Sequence, residues 1–220
     1  KWWEMRMRSN AALYDIIRID HFIGIVNFWS VPAGSKTAVK GKWRKGPGKR
    51  LTDVIKKATK GSDIIAEDLG IVGDNVRALI QKTGWPGMKI LQFAYDGDSK
   101  NEYLPHNFKS TNCIAYGGTH DNETLVGYYK NKKDKEMEYV YKALNITSKK
   151  ELPQAVLRAA YSSIADTAIF QMQDILELDN SARMNLPATV GTNWRWRMLP
   201  KQFTKEHIKM LHGLCKTYNR

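Results

Sequence analysis

Cysteine is scarce in this chain: Cys113 and Cys215 are the only two in 220 residues, and they lie far apart in sequence. That pattern excludes a disulfide framework and suits reduced thiols in a cytoplasmic protein. Histidine is scarce too, with five scattered residues and no pair at ligand spacing, so neither a metal site nor a cofactor is expected. No apolar run approaches the roughly 20 residues of a membrane span, and no signal-peptide pattern is present, so no membrane partner is expected. Internal repeats and low-complexity tracts are absent. Acid is short relative to base, 22 against 35, for a net charge of +13. Such an excess invites a nucleic-acid reading. The lysines are scattered, however, at 56, 57 and 60, at 130, 132, 133 and 135, and at 149 and 150. Neither a zinc spacing nor an RNA-binding aromatic motif accompanies them, so no nucleic-acid partner is expected.

With 42% hydrophobic and 26% charged residues the chain is ordinary globular material. Its most informative stretch is Arg18-Ile19-Asp20-His21-Phe22, which closes a β-branched run over 14–20 that reads as a strand. Side chains two apart on a strand share a face, so Arg18 and Asp20 point the same way. An arginine beside a carboxylate holds it ionised, as a glycosidase nucleophile must be. A structural ion pair at a sheet end would look the same.

Two further apolar runs also end in acid. Asp63 to Asp68 closes on Glu67-Asp68, and a run over 112–119 closes on His120-Asp121. Each precedes a plausible helix start, as in a βα repeat. The acids Asp20, Glu67 and Asp121 are 47 and 54 residues apart. One βαβ step takes roughly 30 residues or more, so the first gap fits one step with a long loop and the second fits two. The extra strand is expected at 88–95 and a fifth at 167–173. Acids at the C-terminal ends of parallel strands stand where barrel active sites are built. Taken singly, Glu67 or Asp68 could cap a helix or hold a structural cation, and Asp121 and Asn122 could cap a helix starting near Glu123. Their joint occurrence with Arg18 and His120 tells against an all-structural account.

Helices are expected over Trp2–Leu13, over Asp74–Lys82 with a stop at Gly84 and a turn at Trp85-Pro86-Gly87, over Glu151–Asp166, and over Thr204–Lys216 with Thr204 as cap. Residues 131–150 read as a lysine- and glutamate-rich surface stretch, and 179–200 as an irregular loop rich in Arg, Trp and Asn that could line a cleft.

Together these motifs resemble the α-amylase clan of glycoside hydrolases, and within it glycoside hydrolase family 77, the 4-α-glucanotransferases. The resemblance rests on Arg18 to Phe22, Pro32-Ala33-Gly34, Gly41 to Gly48, Ala66 to Gly70, Gly118 to Thr124, Ala182 to Pro187 and Gly191 to Arg197, in that order over nearly the whole chain. It implies an α/β fold, a (β/α)8 barrel of which this chain carries only the C-terminal part, about strands four to eight. Strands one to three would be absent, and the isolated chain inactive. The implied activity moves α-1,4-glucan segments to the 4-OH of an acceptor, on maltooligosaccharides and α-1,4-glucans. Asp20 would be the nucleophile, Glu67 the acid/base, and Asp121 the third carboxylate, gripping sugar hydroxyls. Arg18 would ionise Asp20, and His120 would hold the transferred glucose.

Retention of configuration needs the two leading carboxyls in different protonation states. Apolar packing near Ile64, Ile65 and Leu69 is expected to raise Glu67. Trp29, Asn185 and Asn193 are further substrate-binding candidates, and Trp43, Tyr116, Trp194 and Trp196 further cleft walls, though such aromatics are also ordinary core. Many members carry an Arg and a Glu where this chain has Ile23 and Val26, and a Glu where it has Lys36. An ion pair replaced by apolar packing need not destabilise. Rival readings are another clan enzyme, a hydrolase or a branching enzyme, and a non-catalytic remnant.

Overall fold

The computed structural model describes residues 1–70 and 72–220. The chain is α/β and divides into two compact units, 1–88 and 89–220.

In the first unit, helix α1 (Trp2–Ala11) leads into strand β1 (Ile16–Ile19). Chain reversal after β1 gives one turn of helix α2 (Ile23–Val26) and an antiparallel hairpin, β2 (Asn27–Ser30) with β3 (Lys42–Lys45). Helix α3 (Lys49–Ala58) then returns the chain to β4 (Asp63–Ala66), which pairs with β1 in parallel, Ile16 opposite Asp63 and Ile19 opposite Ala66. Helix α3 buries Leu51, Thr52, Ile55 and Ala58, one face at helical spacing, and sends Lys56 and Lys57 outward. Those lysines read as scattered surface charge in the sequence; they are the wet face of an amphipathic helix. The core gathers Met7, Ile17, Phe22, Ile55, Val76 and Leu79, with the Phe22 and Trp85 rings edge to face at 6.1 Å. Ile23 and Val26 pack against this core. Helix α4 (Asp74–Thr83) ends at Gly84, whose φ of 72° supplies the left-handed C-cap.

Strand β5 (Gly87–Ile90) opens a three-stranded sheet of order β5-β6-β7, completed by β6 (Cys113–Tyr116) and β7 (Thr167–Ile169), the latter two parallel. Between β6 and β7 run α5 (Leu125–Lys130), α6 (Asp134–Leu144) and α7 (Leu152–Tyr161). After β7 come a short helix α8 (Met172–Ile175), an irregular segment and α9 (Lys205–Tyr218). The second unit's core is built on Leu91, Ala115, Leu125, Met137, Val156 and Ala160.

All five expected strands are present but shorter than expected. The run over 88–95 leaves extended structure at Leu91, where a 3-10 turn (Leu91–Phe93) lets the Gln92 amide donate to the Gly117 carbonyl at 3.0 Å. The run over 167–173 stops at Ile169, and Gln171 begins helix α8. Residues 131–150 are not a plain surface stretch: α6 buries Met137 and Val140, three apart on one helical face. Thr204 stands at the N-cap of α9, in a capping box with His207. Among the described residues no helix is long and apolar enough to cross a membrane.

Candidate active site

Glu67 and Asp20 follow directly on a paired position of the parallel ladder, because Ile19 lies opposite Ala66. The ladder carries on past both strands: the Glu67 amide donates to Ile19 O and the Phe22 amide to Glu67 O, each at 2.9 Å. His21 takes a φ of 48°, and its backbone N–H donates to Glu67 Oε2 at 2.7 Å. Leu69 N–H donates to Oε1, also at 2.7 Å. Gly24 makes room for the His21 ring, which lies 2.9 Å from where a Cβ would stand. Backbone on both sides of Asp20 therefore holds Glu67 in place.

The surroundings of Glu67 differ from the expected apolar pocket. Both carboxylate oxygens accept backbone N–H bonds, the polar contacts that a strand end with a tight turn makes available. Asp20 is the open member, with 78% of its side chain exposed, and Arg18 Nη2 donates to its Oδ1 at 2.6 Å. Arg18 is three-quarters covered, and its Nε is buried without a hydrogen-bond partner among the described residues. One edge of the guanidinium is thus aimed at Asp20. Neither Glu67 nor Asp68 caps α4, whose N-cap is Gly73. Asp68 Oδ1 instead accepts from Met88 N–H at 2.8 Å, and a Cβ on Gly87 would lie 2.4 Å from Asp68 Oδ2.

In the second unit β6, buried at all four positions, ends in the loop Gly117–Thr124. Asn122 Oδ1 accepts from both the amide and the hydroxyl of Thr119 at 2.8 Å, closing the loop on itself. His120 Nε2 lies 3.3 Å from Asp121 Oδ2. Asn185 Nδ2 donates to Asp121 Oδ1 at 2.5 Å, and Arg183 Nη2 to the Asp121 carbonyl at 2.6 Å. Asn185 N–H donates to the His120 carbonyl at 3.1 Å. The Trp194 ring lies 5.0 Å from the His120 ring. Helix α5 is capped by Thr124, whose hydroxyl accepts from Gly127 N–H, so capping does not account for Asp121 or Asn122.

The structure thus brings Arg18, Asp20 and Glu67 together in the first unit, and His120, Asp121 and Asn185 together in the second. Arg183 and Trp194 join the second group; their motifs flagged the segment, but no local pattern pointed to their contacts with Asp121 and His120. Asn193 is occupied within its own loop, accepting from Leu186 N–H at 3.0 Å and donating to Thr189 O at 3.1 Å. Trp29 Nε1 donates to Ala38 O at 2.8 Å, in space that a Cβ on Gly41 would fill. Its ring meets Trp43, its cross-strand partner, edge on at 5.5 Å, and both are exposed. Tyr116 is buried in β6 and is no open cleft wall. Among the described residues no group of three or more His, Cys, Asp or Glu could hold a metal ion.

Residues 1–202 match the profile of the glycoside hydrolase family described as 4-alpha-glucanotransferase. The 4-alpha-glucanotransferase of Clostridium butyricum is 45% identical over all of this chain and 45% of its own length. A chloroplastic/amyloplastic 4-alpha-glucanotransferase of Arabidopsis thaliana is 47% identical over all of this chain and 38% of its own. A cytoplasmic location is therefore not common to the relatives. Among solved structures, an amylomaltase from Streptococcus agalactiae in complex with acarbose superposes with a TM-score of 0.93 at 37% identity, covering 100% of this chain and 44% of that one. The chain spans less than half the length of these relatives.

Proposed function

The chain belongs to the 4-alpha-glucanotransferases of glycoside hydrolase family 77, and on that footing we infer that it supplies the carboxylates of a retaining transfer between α-1,4-glucans. Its strands are read as the C-terminal part, about strands four to eight, of one (β/α)8 catalytic barrel. The observation that carries the reading is the in-register exit of Asp20 and Glu67 from neighbouring parallel strands. Adjacent strands lie about 4.8 Å apart, the scale of the roughly 5–5.5 Å separation between the carboxyls of a retaining glycosidase.

The exposed Asp20 carboxylate, faced by Arg18, attacks the anomeric carbon of the donor glucose. The glycosidic bond breaks, and its oxygen takes the proton of Glu67. The shortened glucan leaves and an acceptor enters. Its 4-OH gives its proton to Glu67 and attacks the anomeric carbon, and the bond to Asp20 breaks. Configuration is retained by two inversions. Asp121, held by Asn185 and Arg183, offers its remaining oxygen to sugar hydroxyls, and His120 stands beside it as a further donor. Relatives named as transferases favour this reading over a hydrolase or a branching enzyme. The Trp29–Trp43 pair offers apolar faces suited to sugar rings.

The test is maltotriose disproportionation by this chain extended to the full length of its relatives, by its Asp20→Asn variant, and by the 220-residue chain alone. Glucose plus longer maltodextrins from the extended protein only, lost in the variant, is the expected result. Activity that survives Asp20→Asn overturns the nucleophile assignment. Glucose and maltose without longer products would make the enzyme a hydrolase. Transfer by the short chain alone would overturn the partial-barrel reading.

A further inference from the structure

Behind the Gly117–Thr124 loop lies a set of buried polar side chains to which the chemistry above assigns no part. Asp174, on α8, is 1% exposed, and its Oδ1 accepts from Leu125 N–H at 2.7 Å. Its Oδ2 is buried and makes no well-formed hydrogen bond among the described residues, while the Gln171 side-chain amide faces the carboxylate and works to lower its pKa. Gln92 is 2% exposed; its Nε2 donates to the Glu123 carbonyl at 3.1 Å and its Oε1 has no hydrogen-bond partner among the described residues. The loop backbone sits tightly on these groups at Gly118 and in ordinary contact at Gly117. A Cβ on Gly118 would lie 3.1 Å from Gln92 Oε1 and 3.3 Å from Gln171 Nε2, and one on Gly117 would lie 3.6 Å from Asp174 Oδ2. Asn180 Oδ1 adds a bond from Thr124 N–H at 3.2 Å.

The segment 171–185 therefore grips the loop at both ends. Arg183 and Asn185 hold Asp121 and His120, while Asp174 and Asn180 hold Leu125 and Thr124. Asp174 differs from the others in being a buried carboxylate with no ion-pair partner among the described residues. Phe170 and the Leu125 side chain flank the same Gly117 position as its Oδ2. Removal from water pushes its pKa up to about 6. A buried carboxylate bonded to a loop amide fixes where that loop leaves for α5.

We propose that Asp174 is a positioning residue for transfer: through the Leu125 amide it sets the exit of the loop that carries His120 and Asp121. The inference rests on the functional reading given above, and it has a readout that does not. The full-length enzyme is compared with Asp174→Ala, which deletes the acceptor, and with Asp174→Asn, which keeps an acceptor oxygen. Amide hydrogen exchange over His120–Leu125 is measured without substrate, and kcat and KM with maltotriose. In Asp174→Ala exchange rises across the loop and kcat falls at least about tenfold, as expected for loss of a bond to a charged acceptor. KM, to which His120 and Asp121 contribute through sugar hydroxyls, rises by less than kcat falls. Asp174→Asn restores both loop protection and most of kcat.

Unchanged exchange and unchanged kcat in Asp174→Ala would overturn the proposal. So would a loss of kcat in either variant without loosening of the loop. If Asp174→Ala does not fold, Asp174→Thr, whose shorter side chain withdraws the acceptor from Leu125 N–H, takes its place: protection and kcat falling together support the role, and either moving alone, or neither moving, overturns it. A wild-type enzyme that shows no transfer would refute the functional reading, while the exchange experiment would still report on Asp174.

Discussion

The carboxylates of the first unit and those of the second are held by different kinds of bond. Glu67 is placed by main chain: a parallel ladder, its continuation through Ile19 and Phe22, and amides of His21 and Leu69 on its oxygens. Asp20 leaves the same ladder with Arg18, two residues before it, on its carboxylate. Asp121 is placed by side chains more than 60 residues downstream, Arg183 and Asn185, on an irregular segment. A carboxylate fixed by backbone is insensitive to which side chains surround it, so long as the strand and the turn form. One fixed by remote side chains depends on every link from that segment to the loop. Mutations should therefore act on the first site through chemistry and on the second through geometry.

The largest effect tests the first half of that contrast. In the full-length enzyme Asp20→Asn should lower kcat by roughly 10^4-fold or more, the scale on which loss of a nucleophile acts, with Tm unchanged because the side chain is exposed. A quench of maltotriose turnover read by chromatography would show it. Next, Glu67→Gln should lose about 10^2- to 10^4-fold in kcat, the share of general acid–base catalysis. The amide oxygen can accept from only one of His21 and Leu69 N–H, so Tm should fall modestly, by the cost of about one hydrogen bond to a charged group. A large drop in Tm would mean that Glu67 is chiefly a structural clamp.

The second half of the contrast appears in stability. The pKa of Asp174 is raised by burial from 3.8 to about 6, so the folded state holds its proton more tightly than the unfolded state does. Its contribution is intact below about pH 4 and is lost as the pH rises through 6, the reverse of an ion-paired aspartate. Asp174→Asn should thus be more stable than the wild type at pH 7, by up to ~3 kcal/mol, the two converging below about pH 4. Denaturant midpoints at pH 4, 6 and 7.5 would check this, and a difference independent of pH would remove the buried-charge argument. The smallest effect is expected for Asn185→Ala, which strips Asp121 of its amide partner. A hydrogen bond to a charged group is worth about 1.5–3 kcal/mol, so kcat should fall roughly tenfold to a hundredfold. An equal loss from a matching change at Asn193, whose amide is spent on its own loop, would blur the distinction drawn here.

The short strand signals were legible because a β-branched run closed by a charged residue is local information, and β1, β4 and β6 lie inside the runs that announced them. So was the C-cap at Gly84, since a left-handed φ selects glycine. Helices α3 and α6 were harder: their charged residues interrupt the apolar ones, and the stripe Leu51, Ile55, Ala58 matters only once β1 and β4 provide a surface for it. The strand ends over 88–95 and 167–173 were misplaced for a similar reason. Period-2 apolar runs continue there, but the Gln92 amide meets the Gly117 carbonyl and Gln171 starts a helix, events set by another part of the chain.

By itself the sequence determined the family, the α/β alternation, and the acids at strand ends, because these are written in short motifs whose spacing survives without a partner surface. Only the tertiary structure decided what surrounds those acids. It put backbone amides rather than apolar side chains on Glu67, gave Asp121 its partners Arg183 and Asn185, and buried the carboxylate of Asp174 beneath their loop. Hydrogen bonds and burial across tens of residues depend on where the chain returns in space, and that is fixed by packing of whole elements, not by any window of sequence.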